Sequence, residues 1–135
     1  MTTGDAPRTI VTSAYEGLAR GDDEVFLDHM ARRVTWVVPG PPDHPATGTH
    51  VGREALLYQF AKFSAVAELT DLEIGNVVGD GDVYVVLGRE KWRVRATDRE
   101  FETLWANAVT VKNGLIDHVT VYADTSNESL AYAGT

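Results

Sequence analysis

The chain has 135 residues, 44% of them apolar and 24% charged, with a net charge of -8, which suffices for one hydrophobic core and a single domain over residues 1–135, not for two. The acidic balance opposes attraction to phosphate backbones and anionic bilayers, so neither nucleic acid nor a membrane is an expected partner. The absence of cysteine excludes disulfides, thiol nucleophiles and thiolate metal sites together, and fits a reducing compartment.

Residues 1–6 are small and polar and are expected to be disordered. Neither this start nor any later run reads as a signal peptide or a membrane span, so the expected location is the cytoplasm. Pro7 suits the first turn of a helix that runs to about residue 19, with Ile10 or Val11, Ala14, Tyr15 and Leu18 on its apolar side. Arg20-Gly21-Asp22 ends it and caps a second helix over residues 23–31, whose buried stripe is Val25, Phe26, His29 and Met30. Val34 to Val38 is β-branched around Trp36 and reads as a strand stopped by Pro39-Gly40, with a loop over residues 39–48. Gly52-Arg53-Glu54 opens a third helix with Leu56, Phe60, Phe63 and Ala67 on one stripe.

The spacing then turns to period two. Strands are predicted over residues 68–78, 83–96, 100–112 and 115–124, joined by Gly79-Asp80-Gly81-Asp82, Thr97-Asp98 and Asn113-Gly114, each a hairpin signal. A C-terminal tail over residues 126–135 carries one more helical turn near Glu128 to Tyr132. Three helices followed by a meander define an α+β chain, with the helices packed on one face of a strongly curved antiparallel sheet.

Alternation sorts each strand into two faces. In the second hairpin strand Arg89, Lys91, Arg93 and Arg95 share one row, which must be wet. The other row is Tyr84, Val86, Gly88, Glu90, Trp92 and Val94, so Glu90 is a carboxyl on an apolar row. The next strand places Phe101, Thr103, Trp105, Asn107 and Val109 inward, and the last places Val119, Val121 and Ala123 inward with Asp117 at the mouth. Trp36, Trp92 and Trp105 thus converge on one predicted pocket with Glu90 and Asn107 as its polar groups and Tyr15 as a third. Aromatic walls suit a flat, hydrophobic small molecule. A carboxyl in apolar surroundings suits proton transfer near neutrality. Val38, Tyr58 and Val121 complete the expected substrate-binding set. His29 is expected to be a hydrogen-bonded core residue. His44 and His50 lack the spacing of a metal site, and neither a metal nor a cofactor is expected.

Gly21-Asp22, Val34-Thr35-Trp36 with Pro39-Gly40, Gly52-Arg53-Glu54-Ala55 and Asn113-Gly114-Leu115-Ile116 stand in the order seen in SnoaL-like proteins, and the chain resembles that family over residues 9–127. The resemblance implies a nuclear-transport-factor-2-like (cystatin-like) cone with a deep apolar pocket, commonly dimeric, as in polyketide cyclases, ketosteroid isomerases and limonene-epoxide hydrolases. It also implies departures. The isomerase general base is matched by Val38, whereas the isomerase's hydrogen-bond donor is matched by Asn107. In the epoxide hydrolase pattern Glu90 matches the first aspartate, Gly88 the arginine and Val121 the second aspartate, while Trp36 and Val38 replace the tyrosine and asparagine that hold the water. Thr120-Val121-Tyr122 stands where many relatives carry Arg-Glu-Tyr. The expectation is therefore an acid–base enzyme of cyclase or isomerase type acting on a polycyclic or terpenoid carbonyl compound, with a non-catalytic binding protein and, more remotely, an epoxide hydrolase as alternatives.

Overall fold

The structure, a computed structural model, describes residues 5–42, 44 and 46–133. The expected disorder of residues 1–6 falls mostly outside them, and helix α1 spans Asp5–Ala19. Val11, Ala14 and Tyr15 are fully buried, as the helical spacing requires. Gly21, at φ 79°, turns the chain, and the Asp22 side chain accepts from the Val25 N–H to cap α2, Asp23–Asp28. This helix is shorter than predicted. His29 closes it, its Nδ1 lying 2.7 Å from the Val25 carbonyl oxygen, and Met30 already belongs to strand β1, Met30–Val38.

Strand β2, Gly48–Val51, pairs antiparallel with β1 and falls between the predicted loop and the third helix, where no element was expected, because four residues after a Pro- and Gly-rich stretch carry too little alternation to register. Helix α3, Arg53–Val66, follows, and the Arg53 guanidinium donates to the Met30 carbonyl, tying the helix start to β1. Ala67, predicted on the α3 stripe, instead opens β3, Ala67–Asp80. Strands β4, Val83–Val94, β5, Glu100–Lys112, and β6, Leu115–Ala123, complete the meander within two residues of expectation. Its turns use Gly81, Asp98 and Asn113-Gly114, all at positive φ. A fourth helix, α4, Ser126–Ala133, stands where one turn was expected.

The sheet order is β2-β1-β6-β5-β4-β3, antiparallel throughout except that β1 lies parallel to β6. That parallel pair closes the β1–α3–meander circuit and brings Trp36 beside Val119. Helices pack on the concave face, where Tyr15, Phe26, Trp36, Tyr84, Val86, Trp105 and Val109 share one buried cluster. A smaller cluster of Val94, Phe101 and Ala131 seats α4 on the far ends of β4 and β5, helped by the Thr97 hydroxyl donating to the Ala131 carbonyl. On the convex face Arg89 pairs with Glu73 and Glu102, and Arg93 with Glu68 and Asp98. The basic row faces away from the core, as alternation demanded, and carboxylates pair with Arg89 and Arg93 within it. No described helix is long and apolar enough to cross a membrane.

Candidate functional site

The concave face of β4 and β5 sets the site. Pairing places Glu90 opposite Thr103, Gly88 opposite Trp105 and Val86 opposite Asn107, all on the row facing the helices. A cavity of about 260 Å³ lies between this row and α3. Its wall includes Trp36, Val38, Glu90, Trp92, Trp105, Asn107 and Val121, so seven of the nine predicted site residues meet there. Phe60 and Phe63 of α3 close the other side. Trp92 packs edge-on against Phe63 at 4.6 Å between ring centres, and Trp36 against Phe60 at 5.9 Å.

Gly88 explains how a tryptophan fits flat on the strand face. A Cβ at that position would sit 2.1 Å from Trp105 Cζ2, so only the missing side chain lets the indole cross β4. The indole then forms the cavity floor. Its Nε1 is buried without a hydrogen-bond partner in the protein, as are Thr103 Oγ1 and Asn107 Oδ1 on the same β5 row. Buried polar atoms are almost always paired. The three residues occupy successive inward positions and all line the cavity.

Glu90 is held by Trp92, whose indole N–H donates to its Oε2 at 2.5 Å. Its side chain keeps partial exposure, but that exposure opens onto the cavity and protein surrounds it. Burial raises its pKa from 4.5 to about 7, the Trp92 hydrogen bond works against that rise, and the charge of Glu128 adds to it. At neutral pH the carboxyl is therefore poised between donor and acceptor.

Two predicted residues are placed differently. Tyr58 is 70% exposed and lies outside the cavity wall, because α3 turns Leu56, Gln59, Phe60 and Phe63 inward and position 58 falls on the opposite side of the helix. Tyr15 is fully buried behind the wall. Its hydroxyl oxygen accepts from Asn107 Nδ2 at 2.8 Å, and burial drives its pKa well above the usual tyrosine range. It contacts the Asn107 amide rather than the cavity. Turning that amide over lets the Tyr15 hydroxyl donate to Oδ1 and frees the NH₂ as a donor to a bound oxygen. Asp117, expected at the mouth, sits where the β5–β6 register slips and is not part of the cavity wall, its Oδ1 being buried.

Sequence reasoning missed Thr103, His44 and Glu128. His44 Nε2 lies 2.5 Å from Glu128 Oε2, both side chains are 6% exposed, and both residues line the cavity with Glu90. Thr103 stood on the predicted inward row and was legible there. A second hollow of about 490 Å³ lies beyond α4 and shares only His44 with the first. Its one arginine, Arg95, is engaged with the Ser64 carbonyl, and Glu90 and Glu128 line only the smaller cavity. No group of three or more metal-ligating side chains occurs among the described residues.

Helices laid over a curved open sheet, with a tryptophan-floored pocket between them, define the nuclear-transport-factor-2-like class. The chain belongs to the SnoaL-like family, whose domain model matches residues 11–119. It is similar to a nuclear-transport-factor-2-like protein from Burkholderia xenovorans at 30% identity, covering 97% of this chain and 98% of that one with a TM-score of 0.81. It also shares its fold with TerC co-crystallised with polyporic acid, at 20% identity, 95% and 98% coverage and a TM-score of 0.83. A third likeness is to a protein from Mesorhizobium loti described as a SnoaL-like polyketide cyclase, at 21% identity, 90% and 99% coverage and a TM-score of 0.74. No protein curated for function matches the sequence.

Proposed function

We propose that the protein is a cofactor-independent acid–base enzyme of the cyclase or isomerase type, acting on a hydrophobic carbonyl compound, polycyclic or terpenoid, within the cavity. The observation that carries this reading is Glu90, a carboxyl on an apolar wall whose pKa is raised to about 7. In this reading Glu90 moves the proton, Asn107 hydrogen-bonds the carbonyl oxygen, and Trp36, Trp92 and Trp105 with Val38 and Val121 hold the carbon frame. The polyporic acid bound by TerC supports a small organic ligand for this fold.

The test uses 2-tetralone, a bicyclic ketone with exchangeable hydrogens beside its carbonyl. The protein in D₂O should exchange those hydrogens faster than buffer alone, as read by proton NMR. Tryptophan quenching by 2-tetralone without exchange would support the second reading, a binding or accessory protein. Val38 and Val121 in the cavity wall favour that reading, since they stand where the resemblance implies an acid or base. Epoxide opening has less support, because Gly88 and Val121 supply neither the arginine nor the second acid.

The same reading includes a cytoplasmic homodimer. On the convex face Leu87, Ala106 and Tyr122 are neighbours across three strands, and Leu104, Tyr122 and Leu87 are 64%, 58% and 42% exposed. A second copy with the same apolar face is the partner this supports. Leu104→Lys should convert a dimeric elution on size exclusion to a monomeric one; a monomeric wild type would remove the proposal.

A further inference from the structure

Glu128 stands on α4, in a stretch whose sequence reads only as a tail. Its carboxyl nevertheless lies in the cavity wall with Glu90, and its side chain is 6% exposed. A carboxylate buried to that degree must be paired if it is to remain charged. His44, packed against the Phe63 ring, supplies the partner: the Ala46 N–H donates to its Nδ1 at 3.1 Å, which places the proton of the neutral ring on Nε2, the nitrogen beside Glu128. The 2.5 Å contact between Nε2 and Glu128 Oε2 becomes an ion pair only when the ring is protonated. Thr103, Trp105 and Asn107 line the same cavity, and each carries a buried polar atom without a protein partner.

We propose that Glu128 is the second catalytic carboxylate of this site, taking a proton from the substrate carbon while Glu90 gives one to the carbonyl oxygen, with His44 as its positioning residue. The assignment rests on the acid–base reading above. The C–H bond beside the carbonyl breaks and its electron pair becomes the C=C bond. The carbonyl π pair takes the Glu90 proton, leaving an enol, a Glu90 carboxylate and a protonated Glu128. Return of the enol proton to Glu90 and of the Glu128 proton to carbon closes the cycle, as exchange at the same carbon or isomerisation at another.

Division of labour follows from the surroundings. Asp23, His44 and Glu128 share the cavity wall with Glu90, the Tyr15 hydroxyl lies behind it, and Tyr132 adjoins Glu128. Among these only His44 is able to carry positive charge, and it sits on Glu128. Two carboxyls in one apolar space resist ionising together, and Glu90, without a cationic neighbour, is the one that keeps its proton.

The experiment compares wild type, Glu128→Gln, Glu128→Asp, His44→Ala and Glu90→Gln in 2-tetralone exchange, and follows the Glu90 carboxyl by carbon-13 NMR. Glu128→Gln should slow exchange by at least about 10-fold and move the Glu90 titration to lower pH. Glu128→Asp should recover part of the rate, and it guards against a loss caused by loosening of α4. His44→Ala should lower kcat with little change in KM, whereas a purely structural clasp would lower thermal stability and leave kcat alone. If Glu128→Gln keeps the wild-type rate and an unmoved Glu90 titration while Glu90→Gln is inactive, Glu128 is excluded and the acid–base reading stands. Unchanged rates in both variants, or no exchange by the wild type, overturn the reading itself.

Discussion

Exchange of 2-tetralone hydrogens is expected to fall by about 10²-fold or more in Glu90→Gln, and the same substitution should make the folded protein more stable at alkaline pH. Both effects come from one proton. The introduced amide keeps an oxygen for the Trp92 N–H to bond, so packing is preserved while the titrating group is lost. In the folded protein Glu90 holds its proton up to about pH 7, whereas the unfolded chain releases it near 4.5. Between these values the native state binds more protons than the unfolded state, so the Glu90 contribution lowers stability as pH rises through this window and levels off above it. A displacement from 4.5 to about 7 corresponds to about 3 kcal/mol at full ionisation. Denaturant unfolding of the two proteins should therefore coincide near pH 4 and diverge by up to about that amount near pH 8. Parallel curves at both pH values, or an unaltered exchange rate, would remove Glu90 from the mechanism.

Gly88→Ala is the second large effect expected. The added methyl carbon would lie 2.1, 2.4 and 2.5 Å from three atoms of the Trp105 ring, distances no real Cβ contact shows. Behind the cavity wall the indole is backed by the Tyr15 ring, 6.0 Å away between centres. Overpacking of this kind should destabilise by about 2 to 3 kcal/mol. The change should appear as a lowered denaturation midpoint together with a shifted tryptophan emission. Combining it with Trp105→Ala should relieve part of the loss, and strictly additive losses would show that the contact is not the cause.

How much of this was legible beforehand differs by residue. Glu90 was visible because a strand has period two and its row carries Trp92 and Val94 while the other carries Arg89, Lys91 and Arg93; a single rule sorted it. The meander was visible for the same reason, its turns marked by Asp98, Gly81 and Asn113-Gly114. Tyr58 was misplaced because a helix distributes residues over a full circle, and one step of about 100° moves an aromatic from wall to solvent. Strand β2 is too short to show a period, and α2 ended early because His29 caps it through a contact that spacing does not encode. Glu128 and His44 were invisible for a deeper reason. They lie 84 positions apart on a short helix and an irregular loop, and their meeting depends on α4 docking against Val94 and Phe101. Nothing local in either segment records that encounter. Val38 and Val121 fell in the cavity wall where the resemblance implied them, so a likeness of sequence located the pocket even where it withheld the usual chemistry.

The pairing of Gly88 with Trp105 also constrains how this pocket is able to change over generations. Any larger residue at 88 is barred while the indole is present, yet a smaller residue at 105 opens space on the floor. The permitted route to a differently shaped pocket therefore runs through position 105 first and 88 second, and lineages that keep the tryptophan are expected to keep the glycine as well.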